Sequence, residues 1–245
     1  MKEPVRGGGG FWSVFRQGGM PSAIASVLGA PTAQQMAFIR SLAREQRRSE
    51  AMRTPLERLE TVVFDLETTG FSPQHGDEIL SFGAVRVVGD TVMEKEQFYT
   101  LVKPTVPVPE HISELTGITQ EMSNDAPALI DGLHDFMSFV GGRVLVAHAS
   151  SHDKAFLNAA LWKTSKVQLT HRVIDTMMLA KWLDPQPGSY TLDDLLLSND
   201  IPVTVRHHAL EDAKMTAKLW VCYMSEIMKR GVTNLADLYN HLSHA

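Results

Sequence analysis

The sequence predicts a mixed α/β domain, and three observations carry that expectation. The stretch Thr61 to Glu67 is rich in β-branched and aromatic residues (Val62, Val63, Phe64) and ends on two acids, as a strand running into a polar edge would. Two more strand-like runs, Glu78 to Val88 and Thr91 to Val102, are separated only by Gly89-Asp90, a two-residue hairpin turn. Downstream, Ala209, Ala213, Ala217, Trp220, Met224 and Ile227 recur at helical spacing and form one apolar stripe.

Taken in order, residues 1–57 read as an N-terminal extension, residues 58–230 as the domain and residues 231–245 as a closing helix. Gly7 to Gly10, Pro21, Gly29 and Pro31 punctuate the early extension, which is expected to be flexible. Met36, Ile39, Ala43 and Gln46 then fall near helical spacing and predict one helix from Thr32, in N-cap position, to about Met52. Arg40, Arg44, Arg47, Arg48, Arg53 and Arg58 make this region basic. Its densest cluster, Arg44, Arg47 and Arg48, is a candidate for capturing substrate or a partner, with a solvated helix face as the plainer reading.

Within the domain the first three strands are expected to be antiparallel. A proline-rich loop (Pro104, Pro107, Pro109) leads into helical material ending near Val140, and Arg143 to Ala147 reads as a short buried strand. Ser150 or Ser151 can cap a helix to about Trp162. Val167 to Ile174 is expected as a fifth strand, and Asp175 to His241 as mostly helical, with breaks at Pro185 to Gly188 and at Pro202. No internal repeat is present.

With 44% hydrophobic and 21% charged residues, the composition is that of an ordinary globular protein. A single cysteine, Cys222, permits no intramolecular disulfide and fits a reducing compartment. No run approaches the roughly 18 to 20 apolar residues of a membrane span. Lys2, Arg6 and then Ala23 to Ala30 loosely mimic a signal peptide, but Arg16, Gln17, Gly18 and Gly19 interrupt it, so a cytoplasmic location is expected. The net charge of −5 argues against a broad non-specific grip on duplex DNA, which needs many Lys and Arg contacts to phosphate. It is compatible with an enzyme that draws one strand end into a carboxylate-lined pocket where metal ions supply the positive charge.

Asp65 and Glu67 are two apart on a predicted strand, so both project from one face while Leu66 points the other way. Two such carboxylates repel unless a cation lies between them, and hard oxygen ligands suit Mg²⁺ or Mn²⁺. Alone, the pair is equally an acidic strand end facing water. Thr68-Thr69-Gly70 reads as a tight turn whose N–H groups and hydroxyls can hold a phosphate or terminal sugar. Asp153 falls in the first turn of a helix, where the dipole favours a carboxylate, and alone it is a helix-start aspartate. Asp212 flanks the apolar stripe. His207 lies five residues earlier, so the two share a site only if His207 precedes the helix, and the adjacent His208 leaves open which histidine matters.

Three blocks then agree in order and spacing: Asp65-Leu66-Glu67-Thr68-Thr69-Gly70; His148 with Asp153 before Phe156-Leu157; and His207-His208-Ala209-Leu210-Glu211-Asp212-Ala213. Over roughly residues 60 to 225 the chain resembles the DEDDh family of 3′–5′ exonucleases, the group that includes the proofreading subunit of bacterial replicative DNA polymerase. The resemblance implies a ribonuclease H-like fold with a mixed five-stranded sheet flanked by helices. It implies that Asp65, Glu67, Asp153 and Asp212 bind two Mg²⁺ or Mn²⁺ ions and that His207 is the general base. It places Leu66, Thr68, Thr69 and His148 at the terminal nucleotide and Asp175, with Thr176, in support. The implied substrate is a nucleic-acid 3′ end, released as nucleoside 5′-monophosphates. Where the family usually has asparagine and an aromatic, this chain has Ala149 and His152, so an amide donor and a stacking surface are missing.

Other readings make different demands. His148, His152-Asp153 and a later aspartate imitate the ligand set of HD-type metal phosphohydrolases, which are all-helical. A non-catalytic nucleic-acid-end or polymerase-partner binding module on the same fold would explain Ala149 and His152 as decay. Gln34, Met36 and Phe38 faintly resemble a sliding-clamp-binding peptide, against which stands a helix face buried on the domain.

Overall fold

The computed structural model describes residues 33–45, 51–185 and 189–243. The glycine-rich start, Thr32, Gln46, Arg47, Arg48 and the side chains of Ala43 and Arg44 lie outside the described residues.

Strand β1 (Glu60–Thr68) is the centre of a five-stranded sheet with order β3-β2-β1-β4-β5. It pairs antiparallel with β2 (Ile79–Val88), which turns through Gly89-Asp90 into antiparallel β3 (Thr91–Leu101). On its other side β1 runs parallel to β4 (Val144–Ala147), and β4 parallel to β5 (Val173–Asp175). The mixed sheet with three antiparallel strands is the one expected. It also removes the all-helical HD-type alternative.

Alternation along β1 divides the core into two layers. Val62, Phe64 and Leu66 face helix α4 (Leu129–Val140) and helix α5 (Ser151–Ser165), where Phe64 and Phe136 lie 5.7 Å apart. Thr61, Val63, Asp65 and Glu67 take the opposite face. There the 21-residue helix α8 (Ala209–Lys229) buries its predicted stripe, with Ala213, Ala217, Trp220, Met224 and Ile227 all in the core. Val63 belongs to that second layer.

The remaining helices are α1 (Ala33–Glu45), α2 (Glu110–Thr116), α3 (Gln120–Asn124), α6 (Thr176–Leu183), α7 (Leu192–Ser198) and α9 (Leu235–Leu242). Helix α1 is docked on the domain. Ile39 and Leu42 are buried against the α4 and α5 layer, Gln35 donates to Asp131 at 2.6 Å, and Arg40 donates to the Ser165 carbonyl at 3.0 Å. Phe38 packs against the same layer and against His134. At the other end Leu235 and Leu238 of α9 join the α8-side core.

Several expected boundaries move. The first helix is described over Ala33–Glu45, and Met52 belongs to a separate short 3₁₀ turn at residues 51–53. The fifth strand begins at Val173, not Val167: β4 is only four residues long and offers pairing partners to Val173, Ile174 and Asp175 alone. Ser150 occupies the cap position of α5 but does not cap it, because its hydroxyl donates to Asp175 instead. The strand β1 continues through Thr68, so Thr68-Thr69-Gly70 begins as strand. Among the described residues no helix is long and apolar enough to cross a membrane.

Candidate active site

The site forms where β1 leaves the sheet and the start of α8 arrives. Asp65 and Gly83 are directly opposite in the antiparallel ladder and so share a face. The side-chain space at Gly83 is filled by the α8 backbone: a Cβ there would lie 2.1 Å from the Ala209 carbonyl carbon. Glycine thus lets the helix touch the sheet, which brings Asp212, one turn in, to the acidic end of β1. Carboxylate oxygens of Asp65, Glu67 and Asp212 all lie within 4.8 Å of one another.

Asp153 reaches the same cluster from the opposite layer, in the first turn of α5. It is buried, accepts a hydrogen bond from the Leu66 backbone and raises the carboxyls of Asp65 and Glu67 by repulsion. Burial is the leading cause of all four shifts. It pushes Glu67 from 4.5 to about 8 and Asp153 from 3.8 to about 7, and it raises Asp65 and Asp212. Negative charge on these groups is therefore unfavourable without a cation, and the all-oxygen donor set fits a hard divalent ion.

His207 sits before the helix begins, as the spacing required, with a backbone φ of 59°. Left-handed backbone at a non-glycine residue is strained. Here it is held by the His207 N–H, which donates to Asp212 at 2.8 Å. His207 lines the cleft beside the carboxylates, whereas the His208 ring stacks on Tyr99 at 4.7 Å.

The cleft, about 530 Å³, is bordered by Leu66, Thr68, Phe71, His148 and Tyr190 among others. His148 is 3.0 Å from the Thr176 hydroxyl, and burial lowers its pKa. Thr68 donates to the Gly70 carbonyl at 2.7 Å. Thr69 does not reach the cleft. It is buried, its N–H donates to the Glu78 carbonyl at 2.9 Å, and its hydroxyl accepts from the Glu78 N–H at 3.0 Å. The groups of Thr69 expected to meet a nucleotide are thus already used inside the protein. Asp175 accepts from the N–H groups of Ala149, Ser150 and Met177 and so fixes the loop between β4 and α5. That loop needs holding, since Ala149 has a φ of 49°, a conformation that asparagine adopts more readily.

Two residues at the site were not singled out from the sequence. Phe71 is 80% exposed at the rim, with its ring 5.8 Å from His152, which in turn lies 4.7 Å from Phe156. Arg206, immediately before His207, forms an ion pair with Asp212 and another with Asp193 at 2.5 Å. A cation adjacent in sequence to the third block was the available signal.

A mixed sheet with three converging carboxylates at the exit of its central strand, faced by a histidine and opening on a cleft, is the framework of a ribonuclease H-like nuclease. The exonuclease family model of the RNase T type matches residues 62–220. The PolC-type DNA polymerase III of Bacillus subtilis is 38% identical over 191 residues, 78% of this chain but 13% of that protein. This chain thus spans about an eighth of that relative's length. Exonuclease X in complex with 5′ overhanging duplex DNA superposes with a TM-score of 0.55 at 24% identity, covering 73% of this chain and 98% of that one. The nuclease domain of 3′hExo, a DEDDh family member bound to rAMP, gives 0.58 at 21%, covering 71% and 96%. These two share the fold. The chain belongs to the exonuclease family of the RNase T type.

Proposed function

We propose that this protein is a divalent-metal-dependent 3′–5′ exonuclease that hydrolyses the terminal phosphodiester of nucleic acid and releases nucleoside 5′-monophosphates. The observation that carries the reading is the convergence of Asp65, Glu67 and Asp212 within 4.8 Å, with buried Asp153 electrostatically joined to them. These four would hold two Mg²⁺ or Mn²⁺ ions. The chemistry such ions supply when bound is stabilisation of the attacking and leaving oxygens of an in-line displacement. His207, on the cleft wall, takes the proton from the attacking water. Leu66, Thr68 and His148 border the terminal nucleotide. Asp175 acts by holding the loop that carries His148 and leads to Asp153.

Single-stranded DNA is the favoured substrate in this reading, supported by the kinship to a DNA polymerase and by the acidic chain, which suits capture of a strand end over a grip on duplex. Proofreading or repair beside a polymerase or sliding clamp is the corresponding role. The test is digestion of 5′-labelled single-stranded DNA, duplex DNA and RNA of matched sequence with Mg²⁺ or Mn²⁺. Successive shortening from the 3′ end is expected, fastest on single-stranded DNA and abolished by EDTA. Binding without shortening would turn the reading to a non-catalytic end-binding module.

A further inference from the structure

Asp212 has a protein partner on each oxygen. Oδ2 accepts from the His207 N–H, which is part of the fixed turn before α8. Oδ1 is held by the guanidinium of Arg206. Of the two partners the guanidinium, on a flexible stem, is the one that can leave. Its Nε donates to Asp193 Oδ1 at 2.5 Å, on the first turn of α7, and the Asp193 side chain is 57% exposed. Arg206 also acts beyond its contacts: its charge opposes burial at Asp65, Glu67 and Asp212 alike.

We infer that Arg206 is a built-in counter-cation that competes with divalent metal ions for Asp212, and that Asp193 is the partner that receives its guanidinium when a metal takes that oxygen. The inference rests on the metal-dependent reading of the site. A cation entering between the carboxylates must share Asp212 with a positive charge already seated there, so Arg206 weakens metal binding by Coulomb repulsion and by occupancy. Asp193 works in the opposite sense. A displaced guanidinium that keeps an ion pair leaves no unpaired charge in the half-buried rim, so its release costs less. The pair thereby sets how much divalent ion the site needs.

The test is Mn²⁺ binding to the full chain by calorimetry, checked by the electron paramagnetic resonance signal of free Mn²⁺. Arg206→Gln is expected to tighten Mn²⁺ binding roughly fivefold to fiftyfold, while Arg206→Lys, which keeps the charge, stays within about threefold of wild type. Asp193→Asn, an exposed change, is expected to weaken binding about twofold to fivefold. An unchanged or weaker affinity in Arg206→Gln overturns the inference while leaving the metal reading intact. Should Arg206→Gln fail to fold, Asp193→Asn decides the matter alone, and unchanged or tighter binding there overturns it. A wild-type protein that binds no Mn²⁺ overturns the metal reading, and this inference with it.

Discussion

Asp65 and Gly83 face each other across the β1–β2 ladder, and the backbone of Ala209 occupies the space that a Gly83 side chain would need. The acidic end of the strand and the start of the helix carrying Asp212 are thus brought together through a missing side chain. Gly83→Val is expected to push α8 off the sheet, destabilise the protein by about 1 to 3 kcal/mol and lower kcat/KM at least tenfold, by separating Asp212 from Asp65. Denaturant unfolding with single-turnover kinetics checks both. Wild-type activity in a destabilised variant would show that the helix contact does not set the site.

Removing one carboxylate relieves repulsion among buried acids while deleting a ligand. Asp65→Ala and Asp212→Ala should each abolish activity without unfolding the domain, and EDTA should do the same to wild type. Full turnover by either purified variant would sink the metal assignment.

The raised carboxyls give stability a definite pH slope. In the folded protein Glu67 titrates near 8 and Asp153 near 7, against ordinary values of 4.5 and 3.8. Between those limits the folded state binds more protons than the unfolded one. The contribution of these two groups to stability in EDTA should be full below about pH 4 and fall as pH rises toward 8, by an amount of order a few kcal/mol. Mg²⁺ should flatten that slope, since a bound cation favours the ionised forms. Melting temperatures from pH 5 to 8.5, with EDTA or with MgCl₂, test the sign: a slope that is flat or rising in EDTA would contradict it.

His207 and His208 make different contacts, one on the cleft and one stacked on Tyr99. A general base typically contributes 10² to 10⁴-fold, so His207→Ala should lower kcat by roughly that factor with metal and substrate binding nearly intact. His208→Ala should cost a little stability and leave kcat within a few-fold. Should His208→Ala be the damaging change, the role given to His207 is wrong.

Phe71 supplies an exposed aromatic face beside His152, where the sequence had suggested that a stacking surface was missing. Stacking of one base is worth about 1 to 3 kcal/mol, so Phe71→Ala should raise KM for single-stranded DNA at least fivefold with kcat less affected. Phe71→Trp should restore binding. Equal KM in all three proteins would leave the residue without a part in binding.

Much of the architecture was legible because periodicity is local. The alternation of Val62, Phe64 and Leu66 with Val63, Asp65 and Glu67, the Gly89-Asp90 turn and the α8 stripe each sit within one segment, and the segments formed as read. The ends were less legible where pairing decides them: β5 starts at Val173 because the residues of β4 pair with Val173, Ile174 and Asp175 and with none before them. Helix α1 docks by a buried face, the reading that stood against a clamp-binding peptide: Ile39 and Leu42 lie in the core, so removing residues 1–57 would strip that packing and not merely a charge cluster.

By itself the sequence determined which residue types this protein brings to its chemistry and in what order, since three motif blocks carry them within single local segments, one strand and two helix starts. Only the tertiary structure decided which of them meet. Thr69 turned inward because the Glu78 backbone satisfies it, Phe71 turned outward onto the cleft, and Arg206 came to rest on Asp212. The physical reason is that burial, hydrogen-bond satisfaction and charge compensation depend on neighbours distant in the chain. Residues 65, 83, 153 and 212 come together only when two layers of helices close on one sheet.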